Sequence, residues 1–278
     1  AIGGWPMDDH PPGGFDRADL PPNTVLRTPE VYDIPLRSLY SRNITNLMMA
    51  GRNISATHAA FTSTRVMGTC AVVGQAAGTA AALCTERGIA PRQLAKDQTL
   101  VTRLQQQLLR DDQSIKSVRN GDPLDLARSA KLAASAGKPE LLKDGFVRDI
   151  PGTKTTPKEV HHWAAPLGGW IELSWPSEQR VREVQLTFDS GFERELTLSA
   201  SDSISRTIVR APQPETVKDY EILYRAGSEW RSFAKASNNH QRVVRHRAEP
   251  VRTDAIRIRV DATNGIEEAR IFEVRCYA

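Results

Sequence analysis

The feature that most constrains this chain is a change of hydrophobic period near Asp122. Beyond it, apolar residues recur at every second position. Ile171 and Leu173 alternate with Glu172 and Ser174, Val184, Leu186 and Phe188 with Gln185 and Thr187, and Ile256, Ile258 and Val260 with Arg257 and Arg259. Successive side chains of a strand point to opposite faces, so such runs bury one face and leave the other in water. Shorter runs at Leu196–Leu198, Ile222–Tyr224, Val243–Val244 and Ile271–Val274 are separated by the turn signals Asp189-Ser190-Gly191, Ala226-Gly227 and Asn264-Gly265. Many short strands with one apolar face predict a β-sandwich or jelly roll over residues 122–278.

Upstream the grammar differs. Residues 1–40 are rich in Pro, Gly and Asp and read as irregular chain with turns. Asn46–Ala50 (NLMMA), ending at Gly51, predicts a buried strand. Val66–Leu83, VMGTCAVVGQAAGTAAAL, holds no charge and carries Gly74 and Gly78 one helical turn apart. Its length approaches the roughly 20 apolar residues of a membrane span. Its composition does not, because Ala, Gly and Thr dominate, Gln75 sits in the middle, and lipid-favouring Leu, Ile and Phe are scarce. The stretch is therefore read as a helix made thin for close contact with a sheet or a cofactor, and not as a membrane span. Gly88 and Pro91 end it, Asp97 caps a further helix, and Leu100, Leu104 and Leu108 give that helix one apolar stripe. Ser117–Pro123 is a natural linker, which divides the chain into residues 1–121 and 122–278.

Composition removes some function classes. The 278 residues carry 37 Lys and Arg against 33 Asp and Glu, and the excess is dispersed, so no nucleic-acid face is expected. Cys70, Cys84 and Cys276 have no metal-ligand spacing, and His161–His162 have no third ligand at a suitable distance in sequence, so no metal is expected. The opening Ala-Ile-Gly-Gly-Trp, with neither Met nor signal peptide, is the start expected of a processed or truncated chain.

Five segments in order, YDIPLRSL, NLMMAGR, the stretch around His58, STRVMGTC and GQAAGTAAAL, run from Tyr32 to Leu83. Together they resemble the C-terminal signature of bacterial FAD-dependent oxidoreductases related to the fumarate-reductase flavoproteins. The resemblance implies the last part of a Rossmann-like FAD domain, FAD as cofactor, and hydride transfer on a small-molecule substrate. It places the start of the Ala/Gly helix, with its unpaired N–H groups and positive dipole end, at the flavin edge that gains negative charge on reduction. Ala50, Gly51, Arg52, Arg65 and Val66 are then the expected cofactor contacts, and His58, His10 and Arg65 the expected catalytic groups. Arg52 stands where relatives often carry an acidic residue. Asp8 and Asp9, in the segment WPMDDH, read as solvated turn residues. No GxGxxG occurs anywhere in the chain, so an N-terminal FAD-binding part of the same protein is expected upstream, and this chain alone is not expected to hold FAD firmly.

Ala127–Tyr277 resembles a discoidin-like, coagulation-factor type C domain, through AKLAASA, the DGF at Asp144–Phe146, GGWIELSWPSEQRVREVQLTF, YEILYRAGSEW and AIRIRVDATNGIEEARIFEVRCY. The resemblance implies an eight-stranded jelly roll that binds glycans or cell surfaces through loops at one end, and with that a periplasmic or extracellular location. It makes Asp144 a weak candidate for a Ca²⁺ ligand. Trp170, Trp175 and Trp230 lie in strand patterns and read as core, whereas Trp163, beside His161–His162, reads as the better surface platform for a sugar. The fold class expected is α/β, an incomplete C-terminal part of a Rossmann-like FAD domain, plus an all-β jelly-roll sandwich. Two functions stay open: part of an FAD-dependent oxidoreductase whose substrate the sequence does not give, a saccharide-related one being the candidate, or a carbohydrate- or surface-binding protein with an inactive flavoprotein remnant.

Overall fold

The computed structural model describes residues 1–27, 31–152, 155–194, 196 and 200–278. The chain divides into two compact units, Ala1–Asn120 and Gly121–Ala278.

The first unit begins with four short strands. β1 (Ile2–Gly3) and β2 (Met7–Asp9) are followed by β3 (Thr24–Leu26) and β4 (Tyr32–Asp33). β1 pairs antiparallel with β4, and β2 with β3. The helices follow: α1 (His58–Thr64), α2 (Met67–Arg87), α3 (Pro91–Lys96) and α4 (Gln98–Arg110). Gly88 ends α2 in the left-handed conformation at φ 62°, where a residue with a Cβ would be strained. Asp97 caps α4 by accepting from the N–H of Thr99 at 2.9 Å and of Leu100 at 3.2 Å. One face of α2, made of Val73, Ala76, Ala77, Ala80, Leu83 and Cys84, shares a core with Leu94, Leu104 and Leu108 of α3 and α4. By length and composition α2 is apolar enough to cross a membrane; in this unit that face is packed against other helices. The expected strand at Asn46–Ala50 does not form. Met48 makes a single antiparallel bridge to Tyr40, because the tight turn between them offers that one partner and no sheet.

The second unit is a β-sandwich. β5 (Lys131–Ala134), β6 (Trp163–Pro166) and the long β7 (Trp170–Phe188) lead to α5 (Asp202–Thr207). Then come β8 (Val217–Ala226), β9 (Glu229–Ala236), the long β10 (Val243–Thr263) and β11 (Glu268–Tyr277). Neighbouring strands run in the order β6-β11-β7-β10-β8-β9, with β5 added on β7. β7 and β10 pair along their length, with register shifts between Arg247 and Val251 and between Thr253 and Ala255. Such irregularities bend a strand pair, and Pro176 and Pro250, which have no N–H to donate, lie within these strands. One half of each long strand joins β6 and β11, and the other half joins β5, β8 and β9. Ile171, Leu173, Ile222, Ile256 and Ile258 from one layer share a core with Val184, Leu186, Phe188, Ile271 and Val274 from the other. Seven strands form the sheet among the described residues, against the eight that the resemblance implies. The run expected at Leu196–Leu198 lies, at residues 197 and 198, outside the described residues.

A tyrosine–histidine pair, Tyr220 buried and His246 half-buried, predicts a pH dependence for this unit. Tyr220 Oη lies 2.7 Å from His246 Nε2, across β8 and β10. Burial lowers the pKa of His246 in the folded state and raises that of Tyr220. The unfolded imidazole takes up a proton near its ordinary value of about 6.5. The stability His246 contributes is therefore complete above that value and falls as the pH drops below it toward the folded pKa. Thermal unfolding at about pH 7.5 and about pH 5.5 should show lower stability at the acid end, and His246→Gln should flatten the difference. An equal slope in the variant would assign the pH dependence to other groups.

Candidate functional site

The residues singled out in the first unit come together around β2. Thr57 caps α1 by accepting from Ala60 N–H at 3.3 Å, which sets His58 as the first helical residue. α1 packs on β2, and His58 Nε2 lies 2.9 Å from Asp9 Oδ1. Arg65 ends α1 and donates through Nη2 to Asp8 O at 2.5 Å, with Asp8 Oδ2 at 3.6 Å. His10 bonds through Nδ1 to Pro22 O at 2.9 Å, while its Nε2 lies 3.6 Å from Asp8 Oδ2. Asn23 Nδ2 donates to Asp8 Oδ1 at 2.6 Å. The chain before β2 is tied to α1 as well: Tyr32 Oη bonds Ser63 Oγ, which donates to Trp5 O at 2.6 Å. His58, His10 and Arg65 thus converge on one carboxylate pair. Asp8 and Asp9 are strand residues with these partners, not the turn residues their Pro/Gly surroundings suggest, although Asp9 is exposed as expected.

The expected cofactor contacts sit beside this cluster. Ala50 precedes the 3-10 turn Gly51–Asn53, which packs against α2. Gly51 has φ 88°, a conformation that excludes most side chains. Val66 is the N-cap of α2 and offers no side-chain cap, and the first bond within the helix runs from Cys70 N–H to Val66 O at 2.9 Å. The N–H groups of Met67, Gly68 and Thr69 therefore have no partner within the helix. Met67 is 89% exposed, and a Cβ built on Gly68, Gly74 or Gly78 would meet nothing within 4 Å. Arg52 and Arg65 flank the ring of Phe61, with guanidinium carbons 5.0 Å and 5.9 Å from its centroid. The result is an open helix start flanked by two guanidiniums, next to two imidazoles and two carboxylates.

In the second unit the tryptophans exchange roles. Trp163 is fully buried and donates through Nε1 to Ala136 O at 2.8 Å, so it is core and not a surface platform. Its polar neighbours His161 and His162 are themselves buried. His161 Nδ1 lies 2.7 Å from Asp144 Oδ2, and His162 Nδ1 lies 2.9 Å from Asp149 Oδ1. Burial opposes the charge of Asp149, but His162, the His161 N–H and Lys158 outweigh it and hold that carboxyl well below the usual range. Asp144 thus spends one oxygen on His161 and the other on the Phe146 N–H at 2.9 Å; among the described residues no group of three or more His, Cys, Asp or Glu is arranged to hold a metal ion. Trp175 is core as expected, whereas Trp170 and Trp230 are only half-buried. They sandwich Arg257, whose guanidinium carbon lies 4.5 Å and 4.2 Å from their rings and which pairs with Glu172 at 2.6 Å. Phe192, 54% exposed in the β7–β8 connection, stacks with Arg242 at 4.5 Å.

Comparison with known proteins separates the two units. Residues 1–108 match the model of the FAD dependent oxidoreductase family. The match lies within the first unit and covers 108 of the 278 residues. No curated protein matches the chain. Among solved structures, chitosan-binding module 1 of a chitosanase/glucanase from Paenibacillus sp. IK-5 is similar at 16% identity, over 55% of this chain and 98% of that one, with a TM-score of 0.37. The family 32 carbohydrate-binding module of Streptococcus pneumoniae EndoD is similar at 14% identity, over 55% and 98%, with a TM-score of 0.40. The family 32 module of C. perfringens NanJ, solved with galactose, is similar at 15% identity, over 55% and 96%, with a TM-score of 0.37.

Proposed function

We propose that residues 1–108 serve as part of an FAD-dependent oxidoreductase that transfers a hydride on a small, saccharide-related substrate, and that the jelly roll is its glycan- or surface-binding module. The observation that carries this reading is the convergence of His58, His10 and Arg65 on β2, inside the segment that matches the family. These residues suit the reducible end of the flavin. The uncapped start of α2 and the Arg65 guanidinium supply positive potential where negative charge would develop, and the glycine face of α2 leaves room for a flat ring. Ala50, Gly51, Arg52, Arg65 and Val66 would hold it there. FAD, when bound, supplies the hydride acceptor. His58 and His10 exchange the accompanying proton with the substrate, a role typically worth about 10²–10⁴-fold in rate.

The pyrophosphate end is a different matter. A phosphate cradle needs a strand, a GxGxxG turn and a helix N-terminus, and the 278 residues contain no GxGxxG. We assign that function to a further, N-terminal part of the same protein. In the jelly roll, Phe192 over Arg242 offers an exposed aromatic face of the kind on which sugars stack. A periplasmic or extracellular site of action fits a module of this type.

The flavin reading is tested by redox titration of the product of the complete reading frame. Arg65→Ala should leave FAD bound and lower its midpoint potential, by on the order of 30 mV if about 1.4 kcal/mol of electrostatic support is lost. Arg65→Lys should retain most of it. An unchanged potential in Arg65→Ala would remove Arg65 from the cofactor's surroundings.

A further inference from the structure

The strand β2 carries more than a backbone role in this site. We infer that Asp9 is the positioning residue of His58: its carboxylate keeps the ring proton on Nε2 and leaves Nδ1 as the lone pair that receives a proton. This rests on the oxidoreductase reading for its chemistry but not for its geometry. An ionised carboxylate only accepts hydrogen bonds, and a neutral imidazole has one donor and one acceptor nitrogen. With His58 Nε2 at 2.9 Å from Asp9 Oδ1, the Nε2 atom must be the donor. His10 is held the opposite way. Its Nδ1 faces the carbonyl of Pro22 at 2.9 Å, and a carbonyl also only accepts, so His10 keeps its proton on Nδ1. Two imidazoles 48 residues apart in sequence, His10 and His58, therefore present opposite tautomers around one strand.

The support is built into the fold. Asp8 and Asp9 pair with Val25 and Thr24 across the β2–β3 ladder. The Ser63 bond to Trp5 O ties the approach to β2 onto α1, the helix that His58 opens. Asp8, the preceding strand residue, holds Arg65 through its backbone carbonyl and Asn23 through its carboxylate. Asp9 and Asp8 thus fix the imidazole and the guanidinium from one short element. On the oxidoreductase reading, a lone pair at Nδ1 would suit a substrate O–H: were an alcohol oxidised to a carbonyl here, its O–H proton would go to Nδ1 of His58, and bound FAD would supply the acceptor for the electron pair of the C–H bond. The resulting imidazolium keeps Asp9 facing its Nε2–H.

The test is long-range ¹H–¹⁵N NMR of the 278-residue chain labelled with ¹⁵N-histidine, at alkaline pH where imidazoles are neutral. There are six histidines, and His58→Gln and His10→Gln assign the two of interest. The expected wild-type signature is a pyrrole-type Nε2 and a pyridine-type Nδ1 for His58, and the reverse for His10. Asp9→Ala should lower the Nε2–H to Nδ1–H ratio of His58 by about two- to five-fold, the range for an exposed charged pair, with His10 unchanged. Asp9→Glu, which keeps a carboxylate on β2, should restore part of the bias. A mixed tautomer for His58 in the wild type, or the same ratio in Asp9→Ala, would overturn the inference. No flavin is needed for this measurement, so its failure leaves the Arg65 redox test standing, and failure of the redox test leaves the tautomer result standing.

Discussion

Trp163→Ala should destabilise the jelly-roll unit by about 3–5 kcal/mol, the usual range for removing a buried tryptophan. The side chain is completely buried on β6, in the core that joins both layers. Two further costs point the same way. The indole N–H bonds Ala136 O at 2.8 Å, so truncation leaves that carbonyl without its partner. Gly137, at φ 76°, brings its backbone so near that a Cβ there would meet Ala164 O and the Trp163 ring, which leaves the segment little freedom to close the cavity. For a unit of this size the loss corresponds to a fall in melting temperature of about 10 °C. Trp163→Phe keeps most of the volume and should cost less than half as much. A sugar platform would behave differently: its truncation would abolish glycan retention while leaving the melting temperature within a degree or so of wild type, as surface substitutions usually do.

The tryptophans also show what a single sequence can and cannot reveal. The alternation in β7, β8, β10 and β11 was legible because one buried face forces a period of two. The end of α2 and the start of α4 followed equally from Gly88 and Asp97, whose capping is local. Trp163 was misplaced because its sequence neighbours, His161 and His162, look polar. Both are in fact buried against carboxylates 12 to 17 residues earlier, at Asp149 and Asp144, and no local pattern announces such partners. Trp170 and Trp230 show the converse. They lie on strands, yet their ring environment is set by Arg257, which reaches them across the sheet.

The first unit follows the same division. His58 and Arg65 could be named from the signature that contains them, and His10 from the segment WPMDDH before it, but Asp9 lies 49 residues from His58 and Asp8 lies 57 from Arg65. In sequence the pair is two acids in a Pro/Gly-rich stretch. Only the pairing of β2 with β3, and the packing of α1 on β2, makes them the partners of three functional candidates. Asn46–Ala50 fails for a related reason: apolar residues make a strand only where a neighbour accepts their backbone bonds, and Tyr40 is the one that pairs with Met48.

The most direct test of the central claim is flavin content. On the proposed reading, the start of α2, Gly51 and Arg65 would surround one end of FAD, while the motif that would cradle its pyrophosphate is missing from these 278 residues. Binding energy for a dinucleotide comes in large part from that cradle, so the two ends should be separable by expression boundary. The product of the complete reading frame and the 278-residue chain would each be purified, denatured, and the released flavin identified and quantified against protein. The account predicts about one FAD per molecule of the complete product, by the single dinucleotide site of such a fold, and a colourless 278-residue chain. A complete product that purifies without flavin, and stays colourless when FAD is added, would contradict it and favour a glycan- or surface-binding protein with an inactive flavoprotein remnant. Stoichiometric FAD on the 278-residue chain would contradict it from the other side.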